Sequence, residues 1–384
     1  MSPRFLIHVQ HLLGTGHLQR ASLIARALAE RGAEVLLVSG GLPVPLAPFP
    51  EGVEFLQLPA IRAADARFAT LLDAEGRVVD EALRAARRQT LLDALARFRP
   101  QAVVTETYPF GRRALRFELE PLIDAVTQAG IALFASVRDI LVSKPDAARR
   151  QAMVDLAQMH YAGILVHADP RLVRLEDSLP EAAALAGCLL YTGFVAPRGP
   201  GSPDAQSGAV PSGEVVVTAG GGVAGAALLF TALKARKLSR TYANTPWRLV
   251  TGRNLPQADF DRLIANPLVS QDPAGFAIDR HRRDLPQLFR QAAASISQAG
   301  YNTAVELLQA GTPAVFVPFA EAAETEQTLR ARLFAARGIA GMVEAEALSP
   351  ETLAAALDAV RPPRVVGIDL DGAARSAEIL LARI

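Results

Sequence analysis

The stretch "FLIHVQHLLGTGHLQRASLIARALAERGAEVLLVSGG", Phe5–Gly41, decides the fold. A hydrophobic run ends in a short loop that carries Gly14, Gly16 and His17. A long amphipathic segment follows, and then a second hydrophobic run. Strand, glycine loop, helix and strand in that order make a parallel βαβ unit. Glycines let the backbone approach a ligand closely, and a helix N-terminus favours an anion. The loop is not the dinucleotide fingerprint. Gln19 stands where GxGxxG needs its third glycine, and Ser39-Gly40-Gly41, with no acidic residue, ends the second run. A nicotinamide enzyme is therefore discounted. His17 has two readings: a helix-start histidine with a structural hydrogen bond, or a catalytic base.

The same alternation continues outward. Candidate strands are Arg4–Val9, Glu34–Ser39, Val53–Leu58, Ala102–Glu106, Ile131–Ser136, Gly163–His167 and Leu189–Thr192, with helical stretches such as His17–Arg31, Glu81–Phe98 and Arg112–Ala129 between them. Ala196–Gly213, "APRGPGSPDAQSGAVPSG", breaks the pattern and reads as a linker. Alternation then resumes with strands at Glu214–Ala219, Trp247–Thr251, Phe276–Ile278, Ala293–Ser297 and Ala314–Val317. Helices are expected at Val223–Leu238, Thr303–Gln309, Glu324–Arg337, Pro350–Val360 and Asp371–Ile384. The expectation is α/β: two doubly wound domains, 1–195 and 214–370, with ligands at the carboxyl ends of their strands and the cleft between them as the default site.

Composition narrows the function classes. With 384 residues, two domains are the natural prior. The 40 basic and 39 acidic residues leave a net charge of +1, which gives no global attraction to nucleic acid. Cys188 is the only cysteine and reads as core packing; neither an internal disulfide nor a cysteine-based metal site is expected. The histidines (His8, His11, His17, His160, His167 and His281) show no HxH or HxxxH spacing, so no metal is expected. No apolar run approaches 18 residues, and the start lacks a signal-peptide pattern. A cytoplasmic protein is expected, with a peripheral contact to the inner membrane left open.

Two further loops carry chemistry. "TAGGGVAG", Thr218–Gly225, follows the first strand of the second half. Its Gly220, Gly221 and Gly222 suit a phosphate, and a tight turn is the plainer reading. No GK[ST] follows, so it is not a Walker loop. "SISQAGYNTAVELLQAGTPAVFVPFAEAAETEQTLRARLFAARG", Ser295–Gly338, places a loop at Gln298, Ala299, Gly300, Tyr301 and Asn302 before a helix that starts near Thr303. Glu306 falls about one turn into that helix, and Glu326-Gln327 opens the next. Amides for a pyrophosphate, a carboxylate for ribose hydroxyls and an amide side chain for a sugar would suit a nucleotide diphosphate sugar.

On Ser297, Gly300, Thr303, Glu306, Gly311, Pro313, Pro318, Glu326, Gln327, Arg330 and Ala331, this segment resembles the C-terminal donor-binding half of glycosyltransferase family 28. The phrases "QHLLGTGHLQRA", "FGRRALRFEL", "SVRDILV" and "YTGFV" resemble a group of bacterial predicted glycosyltransferases. The resemblance implies a GT-B-like fold, two Rossmann-like domains facing across a cleft, with residues 371–384 crossing back to the first. It implies that Glu306 binds the ribose diol and that Gln327, with Glu326, holds sugar hydroxyls. Gly300 to Thr303 (with Tyr301 and Asn302) and Gly220 to Gly222 would approach the pyrophosphate, and His281 would wall the base. Gln298 departs from the family, which often has a small residue there.

Acceptor-side candidates are Gly14, Gly16, Arg20, Arg112, Arg113 and Arg138. Arg112 and Arg113, with Arg116, could equally be an exposed basic face; the functional reading is a guanidinium fork for an acidic acceptor, while Arg138 beside Asp139 could be part of a buried ion pair. Glu106 ends a strand and either orients His17 or acts as the base. The activity implied is metal-independent, inverting transfer from a UDP-linked sugar, a co-substrate with no separate cofactor. The acceptor would be a small molecule or a lipid or polysaccharide precursor, and nucleic acid is not expected as a partner. A nucleotide-sugar hydrolase, in which His17 activates water, and a non-catalytic binding module are the alternatives.

Overall fold

The computed structural model describes residues 2–12, 14–64, 70–142, 144–197, 213–221, 225–319, 325–363 and 367–384. The chain divides into two compact units: Met1–Ala196 together with Asp369–Ile384, and Pro197–Ile368.

The first unit contains strands β1 (Arg4–Val9), β2 (Glu34–Ser39), β3 (Val53–Gln57), β4 (Ile61–Ala63), β5 (Leu71–Asp73), β6 (Ala102–Glu106), β7 (Ala132–Arg138), β8 (Gly163–His167) and β9 (Leu189–Tyr191). Its helices are α1 (Gly16–Ala29), α2 (Glu81–Phe98), α3 (Arg116–Gln128) and α4 (Ala147–His160). The main sheet runs β3-β2-β1-β6-β7-β8-β9, all parallel. Strands covered on both faces need no polar alternation. That is why β1, β2, β6 and β8 read as unbroken apolar runs. Strand order reverses between β1 and β6, the switch point at which open α/β sheets leave a crevice.

The second unit contains β10 (Val215–Thr218), β11 (Trp247–Val250), β12 (Phe276–Asp279), β13 (Ala294–Ser297), β14 (Ala314–Phe316) and β15 (Gly341–Met342). Its helices are α5 (Ala226–Ala235), α6 (Gln257–Ile264), α7 (Pro267–Ser270), α8 (Leu285–Gln291), α9 (Tyr301–Ala310), α10 (Glu326–Ala336) and α11 (Pro350–Ala359). The parallel sheet runs β12-β11-β10-β13-β14-β15, with its switch point between β10 and β13. Trp247, Leu249, Ile296, Leu229 and Leu353 lie in its core.

The last helix, α12 (Gly372–Leu381), belongs to the first unit and adds Ala377 and Leu380 to the core built by Phe5, Ile7, Leu18, Ile24 and Leu37. The returning chain lies beside the departing one. Phe194 N donates to Asp369 O at 2.8 Å, and Gly372 N donates to Phe194 O at 3.0 Å.

Several elements differ from the sequence reading. Helix α9 starts at Tyr301, not Thr303, because Gly300 takes an extended conformation (φ −62°, ψ 148°) and caps it. Tyr301 and Asn302 therefore occupy the first turn and not a loop. Helix α10 starts at Glu326. Helix α4 was not foreseen, since only Val154 and Ala157 of its residues are buried and no apolar stripe marks it. The β4–β5 hairpin is too short to show a period, yet it fixes the loop after β1: Ile61 N donates to Gly40 O and Ala63 N to Leu12 O. Most of the expected linker, residues 198–212, lies outside the described residues, as do Gly222 and the expected start of α5 at Val223. Among the described residues no helix is long and apolar enough to cross a membrane.

Candidate active site

The first cluster forms where β1 hands over to α1, across the switch point from the end of β6. His17 lies in the first turn of α1, and Glu106 is the last residue of β6. His17 Nδ1 is 2.8 Å from Glu106 Oε2 and 2.9 Å from Oε1. An ionised carboxylate can only accept, so Nδ1 carries the proton and Nε2 keeps its lone pair. No hydrogen bond to Nε2 occurs among the described residues, and the side chain is 17% exposed. Burial lowers the imidazole pKa from its ordinary value to about 3, against the attraction of Glu106, so the ring is neutral at pH 7. A neutral imidazole, held by one nitrogen and free at the other, is arranged as a base.

Glu106 is more crowded. Its carboxylate accepts from His17, from Arg20 one turn further along α1, and from the Thr107 hydroxyl at 2.7 Å. Burial opposes ionisation, but His17 and Arg20 outweigh it and hold the carboxyl well below the usual range. A carboxylate with three donors on it is better arranged to orient the imidazole than to take a proton.

Arg112 is half-buried and stands electrostatically against His17, Glu106, Arg20 and Arg138; burial lowers its pKa to about 10. Arg138 ends β7 and is half-buried too. Arg113 and Arg116 are exposed, and Arg116 pairs with Glu120, so only Arg112 of the expected fork joins the cluster. A Cβ at Gly14 would meet nothing within 4 Å, so no protein packing requires that glycine.

Three features escaped the sequence reading. Thr107 sits directly after Glu106 in a left-handed conformation, φ 67°. His11 is buried, donates from Nε2 to Leu42 O at 2.9 Å and lies near Arg112. Beneath them Arg87, fully buried, binds both oxygens of Glu118 at 2.7 Å, Gly40 O at 3.0 Å and Gln10 Oε1 at 2.9 Å. A Cβ at Gly40 would collide with Gln10 and Arg87, and one at Gly41 with the His11 ring. Gly40 thus leaves room for the Gln10–Arg87 network and Gly41 for the His11 ring.

In the second unit the candidates gather at the ends of β10 and β13. Gly220 has φ 58°, and a Cβ there would approach Gln298 Oε1 at 3.6 Å. Gly221 O accepts from Asn254 N. A Cβ at Gly300 would meet nothing within 4 Å, and no side chain caps α9. Thr303 and Asn302 are half-buried on the first turn, while the Tyr301 ring is buried under Arg330. Glu306, half-buried on α9, has no hydrogen bond or ion pair among the described residues, and burial alone raises its pKa to about 7. His281 is exposed after β12.

Two assignments on α10 change. The Glu326 carboxylate is buried against Arg330 at 2.7 Å, and Arg330 in turn donates to Ala299 O at 2.6 Å. Through Arg330, Glu326 therefore braces the loop ahead of α9. Gln327 Oε1 accepts from Phe319 N at 3.2 Å, which leaves its Nε2 as the group able to reach outward.

Two parallel Rossmann-like units, each with its polar groups at the switch point, define the GT-B class of folds. The sequence model for the glycosyltransferase family 28 C-terminal domain matches residues 215–366, so the second unit of this GT-B chain resembles that domain. Among curated relatives, the UDP-N-acetylglucosamine–N-acetylmuramyl-(pentapeptide) pyrophosphoryl-undecaprenol N-acetylglucosamine transferase of Rhodospirillum centenum is 38% identical over 78 residues, 20% of this chain and 21% of that protein. The enzyme of the same name from Synechococcus sp. (strain WH7803) is 37% identical over 120 residues, 31% of each chain. The chain thus spans about a fifth to a third of these relatives' length. Acinetobacter baumannii MurG superposes with a TM-score of 0.56 at 16% identity, covering 98% of this chain and 95% of that one. The calicheamicin glycosyltransferase CalG4 gives 0.60 at 15% identity, covering 100% and 95%.

Proposed function

We propose that this chain is a glycosyltransferase that moves a sugar from a nucleotide diphosphate sugar to an acceptor hydroxyl. The observation that carries the reading is the His17–Glu106 pair: Nδ1 held by a carboxylate, Nε2 without a hydrogen bond among the described residues. Nε2 takes the acceptor's hydroxyl proton, the oxygen attacks the anomeric carbon, and the bond to the diphosphate breaks with inversion. The nucleoside diphosphate leaves.

The family 28 match supports donor binding by the second unit. There Glu306 accepts from the ribose diol, the uncapped amides of α9 meet the pyrophosphate, and Gln327 Nε2 meets the sugar. UDP-N-acetylglucosamine and a pyrophosphoryl-undecaprenol acceptor, named for the relatives above, support uridine as the base and a lipid-linked acceptor. Arg112 near His17, with Arg138 near Arg112, supports an acceptor that carries an anionic group. No step requires a metal.

The test is release of UDP from UDP-N-acetylglucosamine and related donors, with and without candidate acceptors. Release that depends on the acceptor supports transfer. Equal release without it indicates the hydrolase. Binding without turnover indicates a non-catalytic module.

A further inference from the structure

Glu106 is held at both of its oxygens. Arg20 Nη2 donates to Oε1, and the Thr107 hydroxyl donates to Oε2 at 2.7 Å. His17 Nδ1 lies 2.9 Å from the first oxygen and 2.8 Å from the second. With one further donor on each oxygen, the carboxylate cannot turn about its last bond without losing one of them. Thr107 is the less expected of the two holders. Its φ is 67°, in the left-handed region that a β-branched residue rarely enters. The turn that it opens, closed by Gly111 N donating to Thr107 O at 3.0 Å, would be made at less cost by Gly or Asn. The backbone thus gives no reason for a threonine here, and the side chain does.

Packing fixes where that side chain points. A Cβ added at Gly111 would lie 2.5 Å from Thr107 Cγ2. The threonine methyl therefore occupies the space that Gly111 leaves by having no side chain. Threonine is stiff about χ1, so seating the methyl also places the hydroxyl. With the methyl against Gly111, Oγ1 reaches Glu106 Oε2 and lies 3.4 Å from His17 Nδ1. An ionised carboxylate can only accept, so the hydroxyl proton and the Nδ1 proton both point at Glu106.

We infer that Thr107 is a positioning residue for His17: its methyl, seated against Gly111, aims its hydroxyl at Glu106 and so fixes the carboxylate that holds the imidazole. The bearing of this on catalysis rests on His17 being the base, as proposed above. When Nε2 takes the acceptor's proton, Nδ1 keeps its own, and a carboxylate fixed in this way serves the neutral ring and the imidazolium from one position.

The test is side-chain NMR of the full chain labelled with ¹⁵N-histidine, which has six histidines to resolve. The His17 Nδ1 proton is assigned by its loss in His17→Asn. Thr107→Val puts a methyl in place of the hydroxyl and should speed exchange of that proton with water by about tenfold, the order expected for one lost hydrogen bond. Gly111→Ala leaves Thr107 in place but displaces its methyl, and should act in the same direction. Thr107→Ser keeps the hydroxyl and should retain most of the protection. The deciding variant combines Thr107→Ser with Gly111→Ala. No methyl is left to displace, so its protection should match that of Thr107→Ser alone, a rescue that a general loss of stability would not produce. If Thr107→Val exchanges no faster than Thr107→Ser, or if Gly111→Ala costs as much protection in the serine background as in the wild type, the positioning role is overturned. UDP release by His17→Ala is measured in parallel. Unchanged turnover there would overturn the base assignment, while the NMR result would still decide the positioning.

Discussion

The two switch points of this molecule are furnished in opposite ways. In the first unit the end of β6 is saturated: Glu106 has three donors, and Arg87 and Glu118 close a buried network below it. In the second unit the end of β13 opens on Gly300, which no side chain crowds, and on Glu306, which has no partner among the described residues. A satisfied network fixes one geometry, as a proton-transfer group requires. An unsatisfied carboxylate beside open glycine carries a cost that a ligand removes by supplying donors. Under the function proposed above, the first arrangement suits the base and the second suits the donor.

The strongest way to break that contrast is at His17. His17→Ala should lower turnover by about 10²- to 10⁴-fold, the usual worth of a general base. UDP affinity by calorimetry should stay within a few-fold. Lower stability with unchanged turnover per folded molecule would make the first cluster structural.

Glu306 tests the other side. Glu306→Ala should weaken UDP binding by about 10- to 100-fold, since hydrogen bonds to a charged group are worth about 1.5–3 kcal/mol. Acidity sharpens the point. The folded pKa of Glu306 is raised to about 7 from an ordinary 4.5. Its contribution to stability is therefore fully present below pH 4.5 and lost as pH rises through 7. Unfolding free energies of wild type and Glu306→Gln from denaturant curves should coincide near pH 4 and diverge by about 1–3 kcal/mol above pH 7, with the glutamine variant more stable. UDP, by supplying donors, should erase that difference for the wild type; midpoints that run parallel at all pH values would show that Glu306 is not strained in the free protein.

A smaller effect is expected at Gly300. Its φ of −62° suits any residue, and a Cβ would meet no protein atom. Gly300→Ala should leave the melting temperature unchanged yet weaken UDP about tenfold, or about 1.4 kcal/mol. Undiminished affinity would remove the α9 N-terminus from the donor site.

Much of this was legible in the chain. The β1–α1–β2 unit announces itself because strands covered on both faces must be apolar throughout. His17 and Glu106 were both visible as groups at strand ends, and the parallel order explains how residues 89 apart meet. Thr107 and His11 were not visible: whether a polar residue is buried, and against what, depends on the elements around it. The Glu326–Arg330 pair was visible in its i, i+4 spacing. The β4–β5 hairpin and α4 escaped because a three-residue strand and a largely exposed helix leave too little pattern to detect.

The return of α12 to the first unit also orders events in time. During synthesis the residues of the second unit are all present before Ala377 and Leu380, which the first unit's core requires, have been made. The ribosome therefore delivers a chain whose second unit can fold while the half bearing His17 still waits for α12. A nascent chain halted between the two would carry a complete second unit beside a first unit whose core still lacks Ala377 and Leu380.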